Sequence, residues 1–376
     1  MRKNLFVRSI AAVSGIVMLA SLAACGDNTS SAGNNSGSTS TEKITGSFSG
    51  AGATSQQAAE EAWISAYMAA NSGANVTYNP TGSGAGVTTF LSGATAWAGS
   101  DKALSDDEVT QSSDKACANG TTAFDVPVYI SPIAIIFNLK GVSDAGKHIN
   151  LDADTAAKIF DGKIVKWNDP AIANQNKDLA LPDTQITVVH RSDKSGTTQN
   201  FVSYFKDQAP DSWTHELSEN WPDIPGQQSA KGTSGVVTAV KQADGTIGYA
   251  DFSQVGDLGT VAIKVGDKYN EISAEAGSKV IEDSKQDDTV KGDNRIVIKI
   301  NHATEAEGSY PIVLVSYDIV CPAYKDTKQA EFAKAWLTYV TSDEGQKAAQ
   351  DAAGTAPLPS SLKSEITKSI EAIKTK

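Results

Sequence analysis

The amino-acid sequence predicts an α/β protein with two lobes, and three observations support this prediction. Apolar, strand-like runs alternate with helix-like runs along most of the 376 residues, and such alternation is typical of α/β architectures. The body of the chain, from about residue 43 to residue 376, is too large for one simple hydrophobic core. Three turns rich in glycine and hydroxyl groups each precede a helix-like run, as expected where a strand leads into a helix.

The N-terminus has the parts of a secretory signal peptide, residues 1–24. Basic residues are followed by an apolar run at residues 10–19 and then by small residues. The apolar run is too short to span a membrane comfortably. The sequence Leu-Ala-Ala-Cys at residues 22–25 resembles the lipobox of bacterial lipoproteins. This resemblance implies a mature protein that begins at Cys25, carries an acyl (palmitate) anchor and lies on the outer face of the cell membrane. The alternative is an ordinary secretory signal with a chance cysteine.

Residues 25–43 are predicted to be a flexible tether. Gly, Ser, Thr and Asn dominate this stretch, and such a composition cannot bury a core. Removing residues 1–24 leaves 29 basic and 44 acidic side chains, a net charge of −15. A surface of this charge argues against nucleic acid as a partner and against a broad basic patch. An anion can still bind where local dipoles and one or two arginines are arranged to receive it.

The strand-like and helix-like runs continue through the body of the chain. The clearest strand-like runs span residues 124–129, 133–137, 186–189, 296–300 and 312–315. Two C-terminal helices are predicted from apolar faces, which consist of Phe332, Trp336 and Val340 and of Ile366, Ile370 and Ile373. The polar stretch at residues 282–294 is predicted to be a surface loop.

Cysteine and histidine usage limits the chemistry. Cys117 and Cys321 are the cysteines beyond Cys25, and they either form a disulfide or are two separate buried thiols. There is no Cys-x-x-Cys pair, and the four histidines lack metal-ligand spacing. We therefore expect neither a metal site nor a cofactor.

The most informative turn is His-Arg-Ser-Asp-Lys-Ser-Gly-Thr at residues 190–197. It follows the strand-like run 186–189 and precedes a helix-like run with an apolar face. The free N–H groups at a helix start favour negative charge, and Arg191 could grip a tetrahedral anion with two N–H groups. The alternative is an ordinary strand-to-helix turn with a capping serine.

Two further turns repeat this arrangement. Gly-Ala-Gly-Ala-Thr-Ser at residues 50–55 and Thr-Gly-Ser-Gly-Ala-Gly at residues 81–86 each precede a helix-like run. Each turn by itself could be ordinary helix capping. Three such turns, in a secreted chain without a catalytic motif, favour an anion held by converging helix N-termini.

Several segments, in order, resemble the substrate-binding protein of the bacterial high-affinity phosphate ABC transporter. They are residues 50–54, 81–86, 98–105, 161–169, 189–197, 245–249 and 310–312. The resemblance implies a type II periplasmic-binding-protein fold, in which two α/β lobes are joined by two crossovers and the ligand lies in the cleft. It places the crossovers near residues 129–131 and 309–311. Lobe one would then hold residues 44–129 and 310–376, and lobe two residues 130–309.

The resemblance also implies the ligand and the partners. The ligand would be inorganic phosphate, which the protein would deliver to the permease subunits of an ABC importer with a cytoplasmic ATPase. The implied phosphate ligands are Thr54, Ser55, Ser83, Asp101, Arg191, Ser195, Gly196 and Thr197. The hydroxyl groups of Thr54, Ser83, Ser195 and Thr197 and the backbone N–H groups of Ser55, Gly196 and Thr197 would donate hydrogen bonds.

Three of the implied ligand residues have roles that depend on their chemistry: Arg191, Asp101 and Ser55. Arg191 would supply the charged hydrogen bonds, and Asp193 would orient it. Asp101 suits only an anion that carries a proton, such as HPO₄²⁻, because a carboxylate can accept that proton. Ser55 stands where the family usually has Phe; only its backbone N–H is needed, and the lost ring is expected to make the pocket rim wetter.

Two rival functions remain at this stage. One is a binding protein for another tetrahedral oxyanion such as sulfate, which Asp101 disfavours because sulfate offers no proton. The other is a secreted hydrolase or phosphatase that uses Ser195 or Ser83. Neither serine lies in a Gly-x-Ser-x-Gly motif, and no P-loop pattern is present, so we do not expect an enzyme.

Overall fold

The computed structural model describes residues 44–143 and 146–375, so the predicted signal peptide, Cys25 and the whole predicted tether lie outside the described residues. The strands are β1 Gly46–Gly52, β2 Ala74–Pro80, β3 Trp97–Ser100, β4 Phe124–Asn138, β5 Ile149–Leu151, β6 Thr187–Arg191, β7 Gln228–Ala230, β8 Thr246–Asp251, β9 Gly259–Val265, β10 Lys268–Asn270, β11 Lys285–Gln286, β12 Ile298–Lys299 and β13 Val313–Val320. The helices are α1 Gln57–Ala70, α2 Ser83–Leu91, α3 Asp106–Ser112, α4 Ala153–Phe160, α5 Pro170–Ala173, α6 Gly196–Gln208, α7 Gly232–Gln242, α8 Ala274–Glu282, α9 Thr327–Val340, α10 Asp343–Ala353 and α11 Lys363–Glu371. The predicted α/β class is confirmed.

The long strand β4 links two sheet regions. Its first part, residues 124–132, pairs antiparallel with β13 in a sheet of order β2-β1-β3-β13-β4. From Ile133 onward it pairs with β8 in the order β4-β8-β6-β7. Two strands were predicted here from the sequence, but they form one strand that changes partner between Pro132 and Ile133.

The parallel strands of both regions direct their carboxyl ends toward the functional turns. β2 and β3 run parallel to β1 on either side of it, and β7 and β8 run parallel to β6. In open α/β sheets, ligands bind outside the carboxyl ends of such strands. The turns that follow β1, β2, β3 and β6 are the glycine- and hydroxyl-rich segments of the sequence.

The apolar helix faces form the core as predicted. Phe201, Val202 and Phe205 of α6 are buried, and Phe160 of α4 packs edge-on against Phe201. Trp336 of α9 is fully buried among other aromatic rings. Burial of such side chains contributes about 1.5–3 kcal/mol each, so the core fixes the helices and, with them, the turns at their N-termini.

The two remaining cysteines form a disulfide. Cys117 and Cys321 are joined with a Cα–Cα distance of 5.3 Å, which decides between the two alternatives that the sequence left open. The bond ties the segment after α3 to the residue that follows β13.

Two predicted elements differ from the structure in extent. The run at residues 296–300 shortens to β12, which forms a two-stranded antiparallel sheet with β11. Within residues 282–294, α8 ends at Glu282 and β11 interrupts the predicted loop.

Across residues 44–143 and 146–375, the chain contains no helix with the length and apolarity needed to cross a membrane. The same residues contain no cluster of three or more His, Cys, Asp or Glu side chains suited to a metal ion.

Candidate anion-binding site

The predicted ligand residues lie together between the two sheet regions. Thr54 Oγ1 lies 2.9 Å from Thr233 Oγ1, although 179 residues separate them. A Cβ atom at Gly196 would lie 2.9 Å from the backbone carbonyl carbon of Asp101, so only glycine fits where α6 begins. The predicted ligands with side chains are between 1% and 8% exposed, so the site is closed to bulk water.

Three hydroxyl groups are arranged as donors. The hydroxyl oxygens of Thr54, Ser83 and Ser195 accept hydrogen bonds from the backbone N–H groups of Thr233 at 3.0 Å, Asp101 at 3.2 Å and Thr198 at 3.2 Å, respectively. A hydroxyl that accepts in this way keeps its own proton for another acceptor. The fold therefore presents preoriented neutral donors, which suit an anion.

Arg191 supplies the positive charge of the site. Its Nε and Nη2 donate to the two carboxylate oxygens of Asp193 at 2.8 and 2.6 Å. Arginine has five N–H donors in a planar fork, so three remain for a ligand. Burial acts to raise the pKa of Asp193, but the hydrogen bond and charge of Arg191 hold it below its usual value. The predicted orienting contact of Asp193 is therefore present.

Asp101 is a buried acceptor. Ser55 and Thr197 donate to its Oδ2 at 2.6 and 2.7 Å, and Ser316 donates to its Oδ1 at 2.8 Å. Burial raises the pKa of Asp101, while the three hydroxyl bonds and the charge of Arg191 act in the opposite direction. Three donors directed at one carboxyl group indicate that the ionised form is the one the fold accommodates.

Two sequence expectations change in detail. The Thr197 hydroxyl has one proton and directs it to Asp101, so the backbone N–H of Thr197 is the group left for a ligand in this arrangement. Ser55 was expected to contribute only its backbone N–H, but its side chain also takes part. Its side chain is 1% exposed and lies against Asp101 rather than at the rim.

Two residues that contact the site were not predicted from the sequence. Thr233, which bonds Thr54, follows Gly232 at the start of α7. Gly-Thr-Ser-Gly at residues 232–235 repeats the glycine- and hydroxyl-rich pattern before a helix and could have been found by it. Ser316 lies within β13, and its position carried no comparable signal.

Four charged side chains meet beside the site. Lys102 contacts Glu108 at 2.7 Å and Glu219 at 3.7 Å, and Lys194 contacts Glu219 at 3.2 Å and Glu108 at 4.0 Å. Lys102 and Lys194 directly follow Asp101 and Asp193 in sequence. The Lys102–Glu219 and Lys194–Glu108 contacts join the region of β3 and α3 to the segments that flank α6.

The geometry favours binding over catalysis. The hydrogen-bond partners of the Ser83 and Ser195 hydroxyls are backbone N–H groups, whereas an activated nucleophile needs a base within hydrogen-bond reach. A cavity of about 810 Å³ opens between α9, α10 and α11, and no predicted ligand residue lines it. The closed site combines neutral donors, one arginine and one acceptor, and these features define a solute-binding protein for a small oxyanion.

Comparisons with known proteins agree with this class. A family model described as "PBP superfamily domain" matches residues 37–344. The chain is 36% identical to the phosphate-binding protein PstS2 of Mycobacterium bovis, over 98% of this chain and 99% of that protein. It is 35% identical to the phosphate-binding protein PstS 3 of Mycobacterium leprae, with 86% and 85% coverage. The chain belongs to this phosphate-binding protein family within the PBP superfamily.

Solved structures show the same fold. A phosphate-binding protein from Stenotrophomonas maltophilia matches with a TM-score of 0.66 at 19% identity, over 86% of this chain and 93% of that chain. A high affinity periplasmic phosphate-binding protein, solved with phosphate bound, matches with a TM-score of 0.69 at 22% identity and the same coverage. The predicted periplasmic-binding-protein fold is confirmed.

Proposed function

We propose that this protein captures inorganic phosphate outside the cytoplasm and delivers it to a membrane ABC importer. The observation that carries the proposal is Asp101, a buried acceptor within a site otherwise built of donors. A fully deprotonated oxyanion would meet a repulsive carboxylate there, whereas HPO₄²⁻ or H₂PO₄⁻ can donate its proton to it. The names of the relatives support the same ligand.

The proposed mechanism is closure of two lobes around the anion. We keep the lobe boundaries expected from the sequence, residues 44–129 with 310–376 and residues 130–309. Thr54, Ser83 and Asp101 then belong to lobe one, while Arg191 and the start of α6 belong to lobe two. Closure brings the donors of both lobes to one ligand, and opening releases it to the importer.

The Arg191→Ala variant tests the phosphate site. The variant loses the three N–H donors that Asp193 does not use, and charge-assisted hydrogen bonds contribute about 1.5–3 kcal/mol each. We expect phosphate affinity to fall at least about tenfold, as measured by calorimetric titration. The Arg191→Ala, Asp193→Asn double variant should recover part of the loss, because the unpaired carboxylate is also removed.

Two controls accompany this experiment. Thermal unfolding must show that the Arg191→Ala variant is folded, and wild-type affinity in a folded variant would remove Arg191 from the site. A chromogenic phosphate ester tests the enzymatic alternative, and turnover by the wild-type protein would contradict a pure binding role. Tighter binding of sulfate than of phosphate by the wild-type protein would favour a different oxyanion.

The membrane attachment is part of the proposal. Cys25 directly follows Leu-Ala-Ala, so we propose that it is lipidated and holds the protein on the outer face of the cell membrane. The Cys25→Ser variant is expected to leave the membrane fraction, as measured by fractionation and by the mass of the N-terminal peptide. A membrane-bound variant, together with a wild-type peptide without acyl mass, would contradict this attachment.

A further inference from the structure

The carboxylate of Asp101 is almost fully occupied by protein donors. An ionised carboxylate offers about four acceptor positions, two on each oxygen. Ser55 and Thr197 occupy both positions on Oδ2, and Ser316 occupies one position on Oδ1. Among residues 44–143 and 146–375, these three are the side-chain donors to the carboxylate, so one acceptor position on Oδ1 remains for a ligand.

The direction of the hydrogen bond from Ser316 to Asp101 is set by Gln56, which donates to the same Ser316 hydroxyl. Ser316 Oγ accepts from Gln56 Nε2 at 2.8 Å, so its own proton is available for Asp101. Gln56 Nε2 also donates to the Tyr317 carbonyl at 3.1 Å. Because a carbonyl can only accept, turning the Gln56 amide around would set its oxygen against the Tyr317 carbonyl and lose this bond. Gln56 and Ser316 are both fully buried, so water does not offer a replacement.

We propose that Ser55 and Ser316 are positioning residues that keep Asp101 an acceptor and leave it a single open position. Through Asp101, they determine the preference for oxyanions that carry a proton. The inference rests on the proposed function, because it concerns the same site. It assigns Ser55 a side-chain role in addition to the backbone N–H that was expected to bind the ligand.

The groups around Asp101 explain why the Ser55 and Ser316 hydroxyls affect its protonation. Among the described residues, Arg191 at the end of β6 faces Asp101 with a positive charge, and Asp251 faces it from the end of β8, where burial raises the pKa of Asp251 to about 7. The phenol groups of Tyr78 and Tyr129 face it from β2 and β4. Burial already raises the pKa of Asp101, and the hydroxyl bonds oppose this rise. Removing a hydroxyl bond would therefore raise the pKa further, and a protonated Asp101 could donate to a deprotonated anion.

The test compares Ser55→Ala and Ser316→Ala with the wild-type protein. Competition titrations with phosphate, arsenate and sulfate are run between roughly pH 5 and pH 8. In each variant, we expect the preference for phosphate over sulfate at neutral pH to fall at least about tenfold, because one charge-assisted hydrogen bond is lost. The pH below which this preference declines should move upward. Arsenate, which also carries a proton, should follow phosphate.

Ser112→Ala is the matched control. Its buried hydroxyl donates to the Val109 carbonyl and accepts from the Ala123 N–H, away from Asp101. This variant should lower the melting temperature while the anion preference and its pH profile stay at wild-type values. Ser55 precedes α1, so its alanine variant disturbs the fold less than a change within β13 and keeps the test usable if Ser316→Ala does not fold.

The outcomes separate this inference from the proposed function. Equal weakening of phosphate and sulfate, with an unchanged pH profile, would mean that the serines are merely structural, and it would overturn the inference. An unchanged phosphate-to-sulfate ratio in a folded Ser55→Ala variant would do the same. A wild-type protein that does not bind phosphate would instead overturn the proposed function itself.

Discussion

Replacing Asp101 with asparagine is expected to lower the preference for phosphate over sulfate by about 100-fold or more. In the wild-type protein, a sulfate ion would face the buried carboxylate and leave its open acceptor position unsatisfied. Asparagine keeps the shape of the side chain but can turn its amide N–H toward the ligand. Sulfate should gain affinity relative to phosphate, as measured by competition titration at neutral pH.

The control for this prediction is the ratio of phosphate to arsenate. Both anions carry a proton, so the Asp101→Asn change should affect them alike. The Ser55, Thr197 and Ser316 hydroxyls can still bond to the amide oxygen or turn away, and thermal unfolding shows whether the site remains folded. If the wild-type protein and Asp101→Asn show the same preference for phosphate over sulfate, the selectivity comes from elsewhere in the site.

Replacing Asp125 with alanine is expected to destabilise the protein by about 3–5 kcal/mol. The Asp125 and Arg295 side chains are 0% and 1% exposed, and Arg295 Nε donates to Asp125 Oδ2 at 2.6 Å. Asp125 Oδ1 accepts from the Leu104 N–H at 2.8 Å, and Arg295 Nη2 donates to the Leu104 carbonyl at 2.6 Å. Asp125→Ala would leave a buried guanidinium without its counter-charge. Denaturant unfolding measures the loss.

A surface pair provides the comparison for this prediction. Asp257 is 76% exposed and contacts Lys241 at 2.6 Å, so Asp257→Ala should change the unfolding free energy by no more than about 1 kcal/mol. The Asp125→Leu, Arg295→Met double variant should recover much of the stability, because it removes both buried charges. If Asp125→Ala lowers the unfolding free energy no more than Asp257→Ala does, the buried pair contributes little to stability.

The pair also positions the loop that carries Asp101. Leu104 bonds to both Asp125 and Arg295, and it lies three residues after Asp101.

The class of fold and most of the candidate site could be predicted from the sequence. The turns at residues 50–55, 81–86 and 190–197 combine a preceding strand, glycine and hydroxyl groups with a following helix, and each of these features is local. The Arg191–Asp193 contact spans two residues within one turn, so its spacing was visible in the sequence. The α6 face of Phe201, Val202 and Phe205 was visible for the same reason, because helical periodicity places these residues on one side.

The local elements, the turns and the chemical types of their side chains depend on neighbours along the chain, so they could be predicted without the structure. Which distant groups meet depends on how the whole chain folds. Ser316 reaches Asp101 across 215 residues, and Thr233 reaches Thr54 across 179. The choice between a Cys117–Cys321 disulfide and two thiols also needed the folded distance. The side-chain role of Ser55 emerged in the same way, because the direction of a hydroxyl bond depends on packing between turns that no local pattern specifies.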